Sequence, residues 1–121
     1  MRYEICAVTD VGCKRLNNED GFYINHMGSY NTAECFTYAK MDAPISAFVI
    51  DGVGGTQVGE EATRICIQIA QSNPIPYDDE ELIVLLDKMN KGVIEARKAC
   101  DTACTIAGVV LGEDSSNFFN L

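Results

Sequence analysis

The stretch I45-S-A-F-V-I-D-G-V-G-G-T-Q-V-G-E60 constrains the fold of this chain more than any other. Ile45 to Ile50 is short and rich in Ile, Phe and Val, and it follows Pro44. It reads as a strand buried on both faces, with Asp51 at its C-terminal end. Gly52, Gly54, Gly55 and Gly59 follow, and such residues permit a sharp change of direction and a close approach of backbone to a ligand. From about Glu60 the period changes. Ala62, Ile65, Cys66, Ile69 and Ala70 fall at the i, i+3, i+4, i+7, i+8 spacing of one helical face. A buried strand that runs through glycines into an amphipathic helix needs a sheet with a helical layer against it.

The rest of the chain fits that demand. Tyr3 to Thr9 reads as a strand, Asp10 to Asp20 as a polar loop, and Gly21 to Asn25 as a second short strand. Met27 to Glu34 reads as a turn region and Cys35 to Ala39 as a further strand. Asn73-Pro74 and Pro76 stop the first helix. A second helix begins near Asp78, with Glu81 three residues on as a capping box. Its apolar stripe is Leu82, Leu85, Leu86, Met89, Val93, Ala96 and Cys100, a span of about 33 Å. Thr105 to Leu111 is an apolar strand, residues 112–116 a turn, and Asn117 to Leu121 a closing strand. The expected class is α+β, with two consecutive helices on one face of an antiparallel sheet. The last strand ends at Leu121 without a polar tail, which leads us to expect a domain cut short and an unpaired edge. There is no internal repeat or low-complexity segment.

The 121 residues suit one domain or part of one. Eighteen acidic against nine basic residues give a net charge of −9, which repels nucleic acid and anionic membrane and favours cations. The six cysteines form no C-x-x-C pair, and His26 is the sole histidine, so a zinc site is not expected. Neither a signal peptide nor a membrane-length apolar run is visible. These features suggest a cytoplasmic protein with free, mostly buried thiols, with disulfide pairing of the six cysteines as the alternative.

The chemistry concentrates in two segments. T9-D-V-G-C-K-R-L-N-N-E-D20 places Arg15 four residues before the acidic pair Glu19 and Asp20, and the later segment places Asp51 beside Gly52. Carboxylates are hard oxygen ligands for Mg²⁺ or Mn²⁺, and the carbonyl of a glycine can serve beside them. A guanidinium fork suits a phosphate. Singly, D-G reads as a turn and N-N-E-D as a solvated surface turn. The two together, each with a strand in front, point to metal-assisted chemistry on a phosphate group. Asp51 would bridge two cations that generate a hydroxide nucleophile, Glu19 and Asp20 would orient bound waters, and Arg15 would grip the phosphate.

TDVGCKRLNNED resembles the N-terminal motif of the metal-dependent protein phosphatases, the type-2C serine/threonine phosphatase family, and DGVGGTQVGEEAT resembles the family's D-G-x-G-G segment. TACTIAGVVL and NFFNL are similar to its later strands, so the likeness spans almost all of residues 1–121. The resemblance implies the N-terminal half of a four-layer α-β-β-α sandwich with antiparallel sheets. It implies Arg15 on substrate phosphate, Asp51 bridging two Mg²⁺ or Mn²⁺ ions, the Gly52 carbonyl on one of them, and Glu19 and Asp20 on metal-bound waters. The substrates would be phosphoserine and phosphothreonine proteins. Thr56 stands where many relatives carry a histidine, and Ala103-Cys104-Thr105 where G-T-T is common. The family's further metal-binding aspartates lie in its C-terminal half, so residues 1–121 alone are expected to bind metal weakly and turn over poorly. Two alternatives stand beside this reading. One is a non-catalytic module that binds a phosphoprotein or another partner. The other is a Ca²⁺- or Mg²⁺-stabilised domain with no phosphate role. Because a second sheet covers the first in that family, an exposed apolar face and self-association are also expected.

Overall fold

A computed structural model describes residues 1–54 and 58–121, so Gly55 and the Thr56 position lie outside the described residues. The elements are β1 (Arg2–Asp10), β2 (Gly21–Ile24), β3 (Met27–Ser29), β4 (Glu34–Asp42), β5 (Ile45–Gly54), α1 (Gly59–Gln71), α2 (Asp79–Ala96), β6 (Thr102–Leu111) and β7 (Ser116–Asn120). β1 pairs antiparallel with β4 as a two-stranded sheet, and the others form an antiparallel five-stranded sheet in the order β3-β2-β5-β6-β7. The class is therefore α+β, with two helices and antiparallel sheets.

One face of the five-stranded sheet carries the core. Tyr23 stacks on Phe48 at 4.6 Å between ring centroids, and Phe119 meets Phe48 edge-on. Ile50 and Ile106 complete this face, and α1 lies on it through Ala62, Cys66, Ile67 and Ala70. The helix stripe differs from the expected one. Ile67 is fully buried, whereas Ile65 and Ile69 are only partly so. The cause is remote in sequence: a Cβ on Gly21 or Gly28 would strike the Ile67 side chain, so these two glycines of β2 and β3 make its space. Ile65 and Ile69 turn instead toward α2, where they lie against Gly92. Helix α1 thus has two apolar faces, one on the sheet and one on α2.

The opposite face of the sheet is covered at one end, where Phe22, Ile24 and Ile45 are buried, and open at the other. β5 was expected to be buried on both sides; Ile45 and Ser46 are, but from Ala47 on its residues alternate, and Val49 is 60 % exposed. Val53 and Phe118 are likewise exposed, the latter at 82 %. β5 also continues past Asp51 to Gly54, because Asp51 to Gly54 stay in register with Thr105 to Thr102 of β6.

Other boundaries moved for local reasons. Met27–Ser29 is a strand rather than a turn. Asn25 (φ 41°) and His26 (φ 71°) form a two-residue hairpin between Ile24 and Met27, with positive φ at both positions as a type I′ turn demands. Helix α2 stops at Ala96, about 27 Å from its start, rather than at Cys100. Past Ala96 the amides of Lys98 and Ala99 bond three residues back, which tightens the last turn. The Asp78 cap is as expected, its side chain accepting from the Glu81 amide at 2.9 Å. The thiols are not mostly buried: Cys66 is, but Cys6 and Cys13 are exposed and the other three intermediate. Among the described residues no helix is long and apolar enough to cross a membrane.

Helix α1 has no side-chain cap of its own at Val58. Thr102, at the start of β6 and fully buried, substitutes for one: its Oγ1 accepts from the Ala62 amide at 3.0 Å and donates to the Val58 carbonyl at 2.7 Å. Thr102→Val is nearly isosteric and strands both groups in the interior, so it should lower stability by about 1–3 kcal/mol. Thr102→Ser should restore most of that. Urea unfolding of the pair checks it, and equal midpoints for Val and Thr would remove the cap from the account.

Candidate functional site

Where β1 ends, the chain turns at Asp10, whose carboxylate accepts the Gly12 amide at 2.6 Å while Gly12 takes φ +75°. The loop then runs back to β2 and is tied at both of its asparagines. Asn17 donates to Glu60 Oε2 of α1 at 2.9 Å. Asn18 is buried; its amide donates to Thr9 Oγ1 on β1 at 2.7 Å, and its oxygen accepts from the Asp20 amide at 3.1 Å. One residue on, the Glu19 carbonyl accepts from Thr63 Oγ1 of α1 at 2.6 Å. The N-N-E-D segment is therefore not a free surface turn. It is clamped between β1 and α1, which sets Asp20 against β5.

These ties bring Arg15, Glu19, Asp20, Asp51 and Gly52 around a single cleft of about 140 Å³, to which Asp10 also contributes. Asp51 projects from the exposed face of β5 and Asp20 lies next to it. Asp20 holds its proton more tightly than an ordinary aspartic acid. Partial desolvation of its carboxyl, in a residue otherwise exposed, contributes most to this, followed by Asp51, through its like charge and a proton the two carboxylates can share. The Gly52 amide and the Arg15 guanidinium pull in the other direction. Arg15 itself is exposed at the cleft mouth. Glu19 lies partly apart from the others. A Cβ on Gly59 would come within 2.6 Å of its carboxylate, which places that charge at the start of α1, where a helix favours an anion.

A second groove, about 330 Å³, runs between β1 and β5 past Val8, Phe22 and Val49 and opens onto Asp10, Asp20 and Asp51. It can seat an extended, partly apolar segment beside the carboxylates. A larger groove, about 400 Å³, lies elsewhere, between Asn73-Pro74 and α2. Two of its charged groups are engaged within the fold: Lys88 donates to Asn73, and Glu81 accepts the Tyr77 amide.

Sequence reasoning named the five residues of the cleft but missed those that hold them. Asn17, Asn18, Thr63 and Thr102 carried no signal, since their partners are mostly some forty positions away. Asp10 was taken as loop, although D-x-G is a recognisable side-chain turn. Among the described residues, no group of three or more His, Cys, Asp or Glu is spaced to hold a metal ion. A cation in the cleft would rest on the Asp20–Asp51 pair, backbone oxygens and water. That donor set fits Mg²⁺ or Mn²⁺, since Mg²⁺ commonly keeps several waters and takes only one or two carboxylates. No protein-family model, curated protein or solved structure matches the chain.

Proposed function

We propose that the cleft binds Mg²⁺ or Mn²⁺ and a phosphoryl group, and that it belongs to a metal-dependent hydrolase of phosphoserine and phosphothreonine in proteins. The observation that carries this reading is the crowding of two carboxylates, Asp20 and Asp51, beside an exposed guanidinium in one small cleft. Two such carboxylates repel each other, and a proton or a divalent cation relieves that repulsion. Asp51 and Asp20 hold the cation, with the Gly52 carbonyl as a further oxygen, and Glu19 orients waters from the helix side. Arg15 grips two phosphoryl oxygens and neutralises their charge. The cations, when bound, supply Lewis-acid activation of a water nucleophile and of the phosphoryl oxygens. In this reading the five-stranded sheet is one of two in a four-layer α-β-β-α sandwich. The exposed Val49, Val53 and Phe118 support that, as a face awaiting a second layer or another copy of the chain. The setting would be cytoplasmic and the partner a phosphorylated protein.

A second reading, binding without turnover, is favoured by the small number of side-chain ligands among the described residues. The two separate in one series of measurements. With Mn²⁺ present, the protein should bind a phosphoserine peptide more tightly than its unphosphorylated twin. Arg15→Ala should weaken that binding tenfold or more, the worth of one charge-assisted contact, without weakening Mn²⁺ binding. Release of inorganic phosphate then marks an enzyme, and its absence a binding module. Equal phosphopeptide affinity with and without Arg15 would exclude both.

A further inference from the structure

Beneath the sheet, on the side away from the carboxylates, two thiols meet. Cys66 of α1 and Cys104 of β6 lie with their sulfurs 3.7 Å apart, at van der Waals contact, although 38 residues separate them in sequence. Both border a cavity of about 90 Å³ walled by Met89, Val93 and Ile106, with the Asn90 side chain as its polar element. That volume exceeds what a single water needs, so a small peroxide has room beside the sulfurs. We propose that Cys66 and Cys104 form a peroxide-reactive pair that closes to a disulfide between α1 and β6.

Geometry assigns the roles. Cys104 is only half-buried, while Cys66 is 1 % exposed. Cys104 therefore reacts first: its thiolate attacks one oxygen of hydrogen peroxide, the O–O bond breaks, and hydroxide leaves and takes up the proton that Cys104 gave. Cys66 then gives up its proton, its sulfur attacks the Cys104 sulfenic acid, and hydroxide departs as water. In total two thiols and one peroxide give one disulfide and two waters. The neighbouring sulfur and burial both raise the Cys66 pKa, which suits the second, resolving position over the first. The bond requires the sulfurs to close from 3.7 Å to about 2.0 Å. Because Cys104 pairs across the sheet with Gly52, that movement reaches the floor of the cleft. The proposal does not depend on the phosphatase reading.

The test exposes the full folded chain, dilute, to hydrogen peroxide, alkylates the remaining thiols and digests with trypsin. The expected product joins the peptide 65–88 to the peptide 99–121, and dithiothreitol reverses it. The second peptide also contains Cys100, whose Sγ faces the Ala96 carbonyl. The link should therefore survive Cys100→Ser and disappear in Cys104→Ser. In Cys66→Ala, a dimedone adduct should accumulate on Cys104. If a variant fails to fold, fragmentation of the wild-type linked peptide by tandem mass spectrometry places the bond on Cys104 or on Cys100 and decides the matter. Unlinked Cys66 with oxidation confined to the exposed Cys6 and Cys13, or Met89 sulfoxide without the link, overturns the proposal.

Discussion

Gly52→Ala should lower the stability of this protein by about 2–3 kcal/mol, at the upper end of the cost of overpacking. A Cβ at this position would sit on the carbonyl oxygens of Glu19 and Gly59, closer than real Cβ atoms approach anything, and 2.8 Å from Thr63 Oγ1. Two of those three neighbours are backbone. They cannot rotate aside, so either the N-N-E-D loop or the first turn of α1 must shift. The same three groups hold Glu19 and the helix start at the cleft, so stability and cation binding should fall together. In a chain of this length each kcal/mol moves the midpoint by roughly 4 °C, so a loss near 10 °C is expected in calorimetry. Gly112→Ala is the control, since its Cβ would meet chiefly the movable hydroxyl of Ser115. A Gly52→Ala midpoint within a degree or two of wild type would mean that strand β5 and α1 are not packed as described.

Asp51→Asn keeps the shape of the side chain and removes one negative charge, and it should weaken Mn²⁺ binding at least tenfold. Half of the carboxylate pair is lost, and an amide oxygen is a poorer ligand for a hard cation. A second readout is independent of any metal. Partial desolvation holds the Asp20 pKa up first, and the Asp51 charge next, so in Asp51→Asn the Asp20 pKa should move down, as followed by carbon NMR of the side-chain carboxyl. The sign of the pH effect follows. A carboxyl whose folded pKa is raised contributes stability that is fully present below the unfolded pKa and is lost as the pH rises through the folded one. Wild type should lose a little stability over that acidic window, and Asp51→Asn should lose less. Asp20 is exposed, so solvent screening keeps this term small. Protons and Mn²⁺ compete for the same oxygens, and cation binding should therefore strengthen as the pH rises through the Asp20 pKa. An unchanged Mn²⁺ affinity in Asp51→Asn would remove Asp51 from the site, and an unmoved Asp20 pKa would separate the two carboxylates.

Periodicity was enough to find both helices, and apolar, β-favouring runs bounded by turn residues the main strands, because both signals lie within a few neighbouring positions. Where they failed, the deciding contact was distant or the local chemistry unusual. β3 was missed because His26 occupies a left-handed position that glycine usually marks. Ile67 was left out of the expected stripe because its space comes from Gly21 and Gly28 in other strands. β5 was read as buried on both sides because its composition is apolar; that holds at Ile45 and Ser46 but not at Val49, since composition does not say how far a covering layer extends. The cleft was legible in part for the same reason. Carboxylates and a guanidinium are recognisable by type, whereas Asn18 and Thr102 look like ordinary loop residues until their partners are known.

By itself, then, the chain's order of side chains determined which segments become strands and helices, and which charged groups stand near their ends. These depend on neighbours within a few residues, where 2.0 and 3.6 residue repeats leave a visible trace. Only tertiary structure decided that Asp20 would press against Asp51, that β6 would cap α1 through Thr102, and that Cys66 would touch Cys104. Each of these joins groups about thirty or more residues apart, and such pairings follow from how the layers pack, which no local pattern records.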